Sequence, residues 1–307
     1  MAVRHFLGVY GHVNLDYIID VSRLPHPNTS IQIEGEKTYF GGTGANVARL
    51  ASEMGVRTAL ASFVGEDFPR DFQAALEGSG VDISEVKRVK GHGSSKVWIF
   101  SDSRGNQMAV VDQGPMRQAT RLPLLLKTAL KAEWVHFCTG RPEYYVKVAR
   151  KAAAVGKNIA LDPAQEIHYV YTPSTLAQMI KHASLFFGNE KEVAKAVVML
   201  RLKNKRGLLK HVDAIIETRW RKGTLLHELD GSDEIPAIRP RKVVDVTGAG
   251  DAFRAGFYAG LCRGMDRHKS AVLGSASASF ALEAKGTQTM LPTYGQVLRR
   301  ARISGAL

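Results

Sequence analysis

Short apolar, β-branched runs alternate with helix-patterned segments along most of this chain. Strands are predicted at His5–Tyr10, Arg57–Val64, Trp134–Cys138, Asn158–Asp162, Leu185–Gly188 and Ala214–Glu217. Helices are predicted between and after them, at Ala45–Met54, Pro69–Glu77, Glu143–Ala154, Glu190–Leu200 and Asp251–Arg263. A strand followed by a helix packs back onto the same sheet as a parallel neighbour. The alternation therefore implies an α/β fold with a doubly wound, mostly parallel sheet and helices on both faces. With 307 residues, 45% of them apolar, the chain can fill the core of one large domain plus a small accessory unit.

Two stretches break the alternation. Residues 17–40 and 95–113 have strand chemistry but no crossover helix after them. The second carries Asp102-Ser-Arg-Gly-Asn106 between two apolar arms, which reads as a hairpin. Together they are expected to form a small β-sheet, a discontinuous insertion into a main domain made of 1–16, 41–94 and 114–307. Such a sheet suits a lid that excludes water from a substrate. Its outer face also suits pairing of two copies into a homodimer.

Composition removes several function classes. The two cysteines, Cys138 and Cys262, lie far apart without metal-type spacing, so neither a disulfide framework nor a zinc site is expected, and a reducing cytoplasm fits. The N-terminus lacks the apolar core of a signal peptide, and no 18-residue uncharged apolar run exists, so no membrane partner is expected. The net charge of +13 suits attraction of small anions. Nucleic acid is not the expected partner, because the positive charges are scattered and no nucleic-acid-binding signature accompanies them. The densest run, 201–210, reads as an exposed helix end and loop.

The chemistry concentrates in Asp245-Val-Thr-Gly-Ala-Gly-Asp251, between an extended stretch and a helical one. A Gly/Ala-rich turn at a helix N-terminus offers free backbone N–H groups and the positive end of the helix dipole, an anion site. Asp251 beside it adds an acceptor for a hydroxyl proton. Phosphoryl transfer needs both groups: a base for the attacking oxygen and donors for the phosphoryl oxygens. Each feature alone is also compatible with a plain turn or a helix cap.

From Asp245 to Tyr258 the string resembles, position by position, the C-terminal signature of the ribokinase-like (PfkB) carbohydrate kinase family. Gly11-His-Val-Asn-Leu-Asp16, Phe40-Gly-Gly-Thr-Gly-Ala-Asn46 and Gly188-Asn-Glu-Lys-Glu192 resemble its other motifs, in the same order. Pro27–Ile33, Trp98–Phe100, Thr139–Glu143 and Glu283–Gln288 are similar to stretches of the archaeal nucleoside kinases in that family.

The resemblance implies a kinase that uses Mg²⁺ and ATP, or conceivably ADP. Asp251 would be the base, and the amides of Gly248, Ala249 and Gly250 would hold the moving phosphoryl group. Asn14, Asp16 and Asn46 would bind sugar hydroxyls, and Gly42 would let the substrate approach the backbone. Asn189, Thr218, Gly223 and Thr247 would face the nucleotide, with Glu192 ordering Mg²⁺ through its waters. Asp245 would lie at a K⁺ site made largely of backbone carbonyls. One departure stands out: Thr218-Arg-Trp-Arg-Lys-Gly223 carries Trp220 where the family pattern has a glycine.

The acceptor stays open between a nucleoside and a ribose phosphate such as ribose 1-phosphate, with a free pentose behind them. Arg141, just past a strand end, suits bidentate phosphate binding or a pair with Glu143. Gln113 and Arg117 follow the lid hairpin and border the same pocket. Tyr144 and Tyr145 could stack a base or simply pack. A catalytically silent relative that binds sugar or nucleotide is the reading from another class.

Overall fold

The computed structural model describes residues 5–104 and 106–307. Residues 1–4, counted above with the main domain, and Gly105, in the expected hairpin, lie outside them. The chain begins with β1 (His5–Tyr10), β2 (Asn14–Val21), β3 (Ile33–Gly41), α1 (Thr43–Glu53), β4 (Thr58–Gly65), α2 (Arg70–Gly78) and β5 (Asp82–Val89). It continues through β6 (Ser95–Asp102), β7 (Gln107–Asp112), α3 (Lys127–Lys131), β8 (Ala132–Phe137), α4 (Pro142–Ala153), β9 (Asn158–Leu161) and α5 (Pro173–Ile180). The last part holds β10 (Leu185–Asn189), α6 (Glu190–Met199), α7 (Lys205–Leu208), β11 (Ala214–Thr218), β12 (Thr224–Glu228) and β13 (Gly231–Ile235). Three helices close it: α8 (Ala249–Leu261), α9 (Arg267–Ala281) and α10 (Tyr294–Ile303).

All six expected strands and five expected helices are present within a few residues at each end. They build a nine-stranded sheet in the order β13-β12-β11-β10-β9-β8-β1-β4-β5. The seven strands from β11 to β5 run parallel, and β12 and β13 add an antiparallel edge. Successive side chains of a strand point to opposite faces, and the core divides accordingly. Leu7, Val9, Phe187 and Ile216 pack into the layer of α1, α8 and α9. Tyr10, Phe137, Phe186 and Ile215 pack into the layer of α4 and α5.

The second sheet has four strands in the order β3-β2-β6-β7. It begins three residues earlier than the sequence suggested. Asn14-Leu15-Asp16 already pairs with Gly41-Phe40-Tyr39 on one side and Ser95-Lys96-Val97 on the other. Asn14 and Asp16 therefore sit on the small sheet, where it springs from the end of β1. Tyr17 and Trp98 stack on it, ring centroids 6.0 Å apart. The turn after α9 ties it to the main body: Lys285 Nζ meets the Asp20 carboxylate at 2.8 and 2.9 Å, and Thr287 Oγ1 donates to the Phe40 carbonyl at 3.2 Å. Among the described residues no helix is long and apolar enough to cross a membrane.

Candidate active site

From β1 the chain winds outward through β4 to β5; from β8 it winds the other way through β9 and β10 to β11. The reversal between β1 and β8 is a topological switch point, and ligands bind outside the carboxyl ends of strands there. The residues just past those ends are Gly11–Asn14 and Cys138–Arg141. Asn189 and Thr218, partners in the β10–β11 register, lie farther along the same edge.

Asp251 lies in the first turn of α8 and is half-buried. Its Oδ2 accepts a hydrogen bond from Asn46 Nδ2 on α1 at 2.7 Å. The orientation of Asn46 is fixed from its other side, where Oδ1 accepts from Thr287 Oγ1 at 2.8 Å and from Gln288 Nε2 at 2.9 Å. Burial pushes the Asp251 carboxyl up to about 7, against the opposing pull of the Asn46 hydrogen bond and of the Arg254 charge. Asp16 is pushed up to about 7 as well, first by burial and then by the charge of Asp251. Two carboxylates, Asp16 on β2 and Asp251 on α8, thus face one small space. Asn14 Oδ1 and Asp16 Oδ1 are buried there without a hydrogen-bond partner among the described residues. Leaving such an atom bare costs on the order of 1–3 kcal/mol each, which a bound hydroxyl would recover.

The glycine turn is held rigidly. Gly248 has φ +76° and caps α8. Asp245 Oδ1 accepts from Thr247 N at 3.0 Å and Thr247 Oγ1 at 2.8 Å, and its Oδ2 accepts from Gly286 N at 3.2 Å. Asp245 and Thr247 therefore staple the turn to the Lys285–Thr287 segment. The amides of Gly250 and Asp251 fall in the first turn of the helix, where no intrahelical acceptor exists. At Gly42 the backbone has φ +94°, and a Cβ would lie 2.5 Å from the His12 carbonyl oxygen. The demand for glycine there comes from the protein's own backbone and does not by itself imply a close ligand.

Farther along the same edge, Asn189 and Glu192 form a reciprocal capping box at α6. Asn189 Oδ1 accepts from Lys191 N and Glu192 N, and Glu192 Oε2 accepts from Asn189 N at 2.7 Å. Glu192 is buried, not a surface acid, and burial raises its pKa. Gly223 has φ +84° and abuts Ile235 and Pro236. Trp220, the departure from the family pattern, adopts φ +53° and stands 65% exposed in the β11–β12 turn.

Past the ends of β8 and β9 the structure adds residues that the sequence did not single out. Glu166, five residues past the end of β9, is 3% exposed. Its Oε1 accepts from Gln113 Nε2 at 3.0 Å and lies 3.5 Å from His12 Nε2; its Oε2 accepts from Gly140 N. Gln113 is thereby tied to a carboxylate. Arg141 Nε lies 3.7 Å from Glu143 Oε2, an ionic approach too long for a hydrogen bond. Arg117 is exposed. Tyr144 and Tyr145 belong to the core: Tyr144 bonds Leu125 and Pro123 backbone groups, and Tyr145 donates to the Thr139 carbonyl. The base-stacking option for them is withdrawn. A second group missed from sequence lies behind Asp251, where Arg254 grips Asp162 at 2.8 and 3.1 Å. Both sit one helical turn or one strand end from predicted residues, the only signal that pointed to them.

The description "pfkB family carbohydrate kinase" matches residues 4–294. The chain is 38% identical to a nucleoside kinase of Methanocaldococcus jannaschii over 292 residues, 94% of either chain. It is 34% identical to a nucleoside kinase of Methanothermobacter thermautotrophicus, covering 97% of this chain and 95% of that one. The crystal structure of the Methanocaldococcus jannaschii nucleoside kinase superposes with a TM-score of 0.91 at 36% identity, over 98% of this chain and 99% of that one. The chain belongs to the pfkB family of carbohydrate kinases, phosphotransferases with an alcohol group as acceptor.

Proposed function

We propose that this protein transfers the terminal phosphoryl group of ATP or ADP to the primary 5-hydroxyl of a nucleoside. The observation that carries the reading is the meeting of Asp251 with Asp16 and Asn14, whose bare oxygens suit ribose hydroxyls. The deprotonated Asp251 takes the 5-hydroxyl proton as that oxygen attacks the terminal phosphorus. The bond from phosphorus to the bridging oxygen breaks and the shorter nucleotide leaves. The amides of the Gly248–Gly250 turn support the equatorial oxygens. A base raised to about 7 is matched to neutral operation.

The acceptor follows from the rim charge. Glu166 is buried against Gly140, and Glu143 stands beside Arg141. Two carboxylates against one guanidinium disfavour a phosphorylated acceptor and suit a neutral base. The sequence similarity to two nucleoside kinases supports the same choice. Arg141 favours a second reading, a ribose phosphate.

Asn189, Thr218, Gly223 and Thr247 border the nucleotide. Glu192 keeps one carboxylate oxygen outside its capping box, which fits a role through water toward Mg²⁺. Among the described residues no cluster of three metal-ligating side chains exists, consistent with a metal that keeps its waters and binds phosphate. Mg²⁺ would offset charge on the phosphates. K⁺ would sit by the turns that Asp245 joins. The four-stranded sheet would close as a lid, and Met108 and Val110, exposed on β7, would help pair two copies. Free Cys138 and Cys262 fit the cytoplasm.

An acceptor screen tests this. Purified protein is offered ATP or ADP with nucleosides, ribose, ribose 1-phosphate and ribose 5-phosphate. Nucleoside turnover at the highest kcat/KM is expected. Preference for ribose 1-phosphate, lost in Arg141→Ala, would establish the second reading. No turnover of any acceptor would restore the silent relative.

A further inference from the structure

Among the described residues, Arg254 is the one cation packed directly behind Asp251 and the glycine turn on α8. It lies three residues after Asp251, on the same helix face. Its side chain is 6% exposed and Asp162's is 5% exposed. Nε and Nη2 hold the Asp162 carboxylate as a two-pronged fork at 2.8 and 3.1 Å. That grip fixes the guanidinium plane and directs the remaining nitrogen, Nη1, toward the glycine turn. A Cβ on Gly250 would fall 2.8 Å from Nη1. Asp162 is backed by His136, whose Nε2 approaches at 3.6 Å and whose Nδ1 pairs with Tyr258 OH at 2.9 Å.

A buried ion pair of this kind is seldom justified by stability alone, because desolvation cancels most of the attraction. Its placement gives it a use. A fixed positive charge beneath the turn favours negative charge on both Asp251 and the phosphoryl group arriving above it. Unlike a lysine on a flexible stem, it needs no reorganisation during the reaction.

We propose that Arg254, locked by Asp162, is a positioning residue for phosphoryl transfer that acts through its fixed charge on Asp251 and the Gly248–Gly250 anion site. The groups that face Asp251 are Asn46 from α1, Asp16 from β2, Cys138 past β8, Asp162 past β9 and Arg254 from α8 itself. Only Arg254 among them is cationic.

The inference rests on Asp251 as the base, which Asp251→Asn tests separately. The direct experiment is the pH profile of kcat/KM for the acceptor in Arg254→Gln combined with Asp162→Asn, a pair that keeps hydrogen-bonding groups but no charge. Loss of the cation should lower kcat about tenfold to a hundredfold. It should also move the acidic limb upward by about one pH unit, with the acceptor KM little changed. Arg254→Lys, which keeps the charge, should leave the limb in place. Asp162→Asn alone removes an anion, frees the full positive charge, and should move the limb to lower pH. It serves as the deciding variant if the double substitution fails to fold. A folded double variant with parental kcat and an unmoved limb would overturn the proposal. So would an upward shift in Asp162→Asn, or a shift in Arg254→Lys as large as in the neutral pair.

Discussion

Asn46 on α1 and Asp251 on α8, 205 residues apart, meet through one 2.7 Å hydrogen bond that joins the first third of the chain to the last. Because the Asn46 carbonyl is already taken by Thr287 and Gln288, its amide can only face the carboxylate. Asn46→Ala removes the donor that lowers the Asp251 pKa. The acidic limb of the rate profile should move upward and kcat should fall about tenfold or more. Thr287 and Gln288 lose their acceptor, so unfolding should cost about 1–3 kcal/mol less. Rate against pH and a denaturant titration check both.

Asp251 should make the ligand-free fold less stable above neutral pH. Its folded pKa of about 7 lies above the ordinary 3.8. Well below pH 3.8 it is protonated in both states and costs nothing. As pH rises toward 7 the unfolded chain releases the proton first, and stability falls. Asp16 acts with the same sign. Asp251→Asn should therefore raise Tm at pH 8, by at most about 4 kcal/mol in free energy, and have little effect at pH 3.5. Melting curves at the two pH values decide it.

Gly286 couples the four-stranded sheet to the site. It has φ +87°, and a Cβ would lie 2.3 Å from Tyr39 Cδ1 on β3. Gly286→Ala should cost about 2 kcal/mol or more and raise the acceptor KM, since the segment also holds Asp245. Lys285→Ala breaks only a partly exposed pair with Asp20 and should cost under about 1 kcal/mol. Equal effects of the two would contradict this.

Glu166 should set the acceptor's charge. Glu166→Gln keeps the shape of the cluster around Gln113 and Gly140 and removes an anion. The ratio of kcat/KM for ribose 1-phosphate to that for a nucleoside should rise about tenfold. An unchanged ratio would remove Glu166 from acceptor selection.

The parallel sheet was legible in the sequence because its strands are buried on both faces and read as continuous apolar runs. β5, Asp-Ile-Ser-Glu-Val-Lys-Arg-Val, was not: it is an edge strand in which only Glu85 is buried. The antiparallel edge β13 is exposed over four of its five residues and equally silent. The apolar pattern of α9 gave no helix signal for a different reason. It is built of Ala, Ser and Gly so that α8 can approach closely, with the Leu273 carbonyl and Ser270 against the glycines of α8, and small residues carry no apolar stripe. At the site, the motif residues were readable because one contiguous string carries Asp251 and the Gly248–Gly250 turn. His12 and Arg254 lie inside motif strings whose spacing gave them no role, while Glu166 and Asp162 are brought to the site by the fold from other segments.

The kinetics of Asp251→Asn test the central claim most directly. The substitution preserves shape and an acceptor for Asn46, so acceptor and nucleotide binding, read by calorimetry, should stay within about tenfold of the parent. Turnover should fall by about 10² or more. Turnover within a few-fold of the parent, with binding intact, would contradict Asp251 as the base.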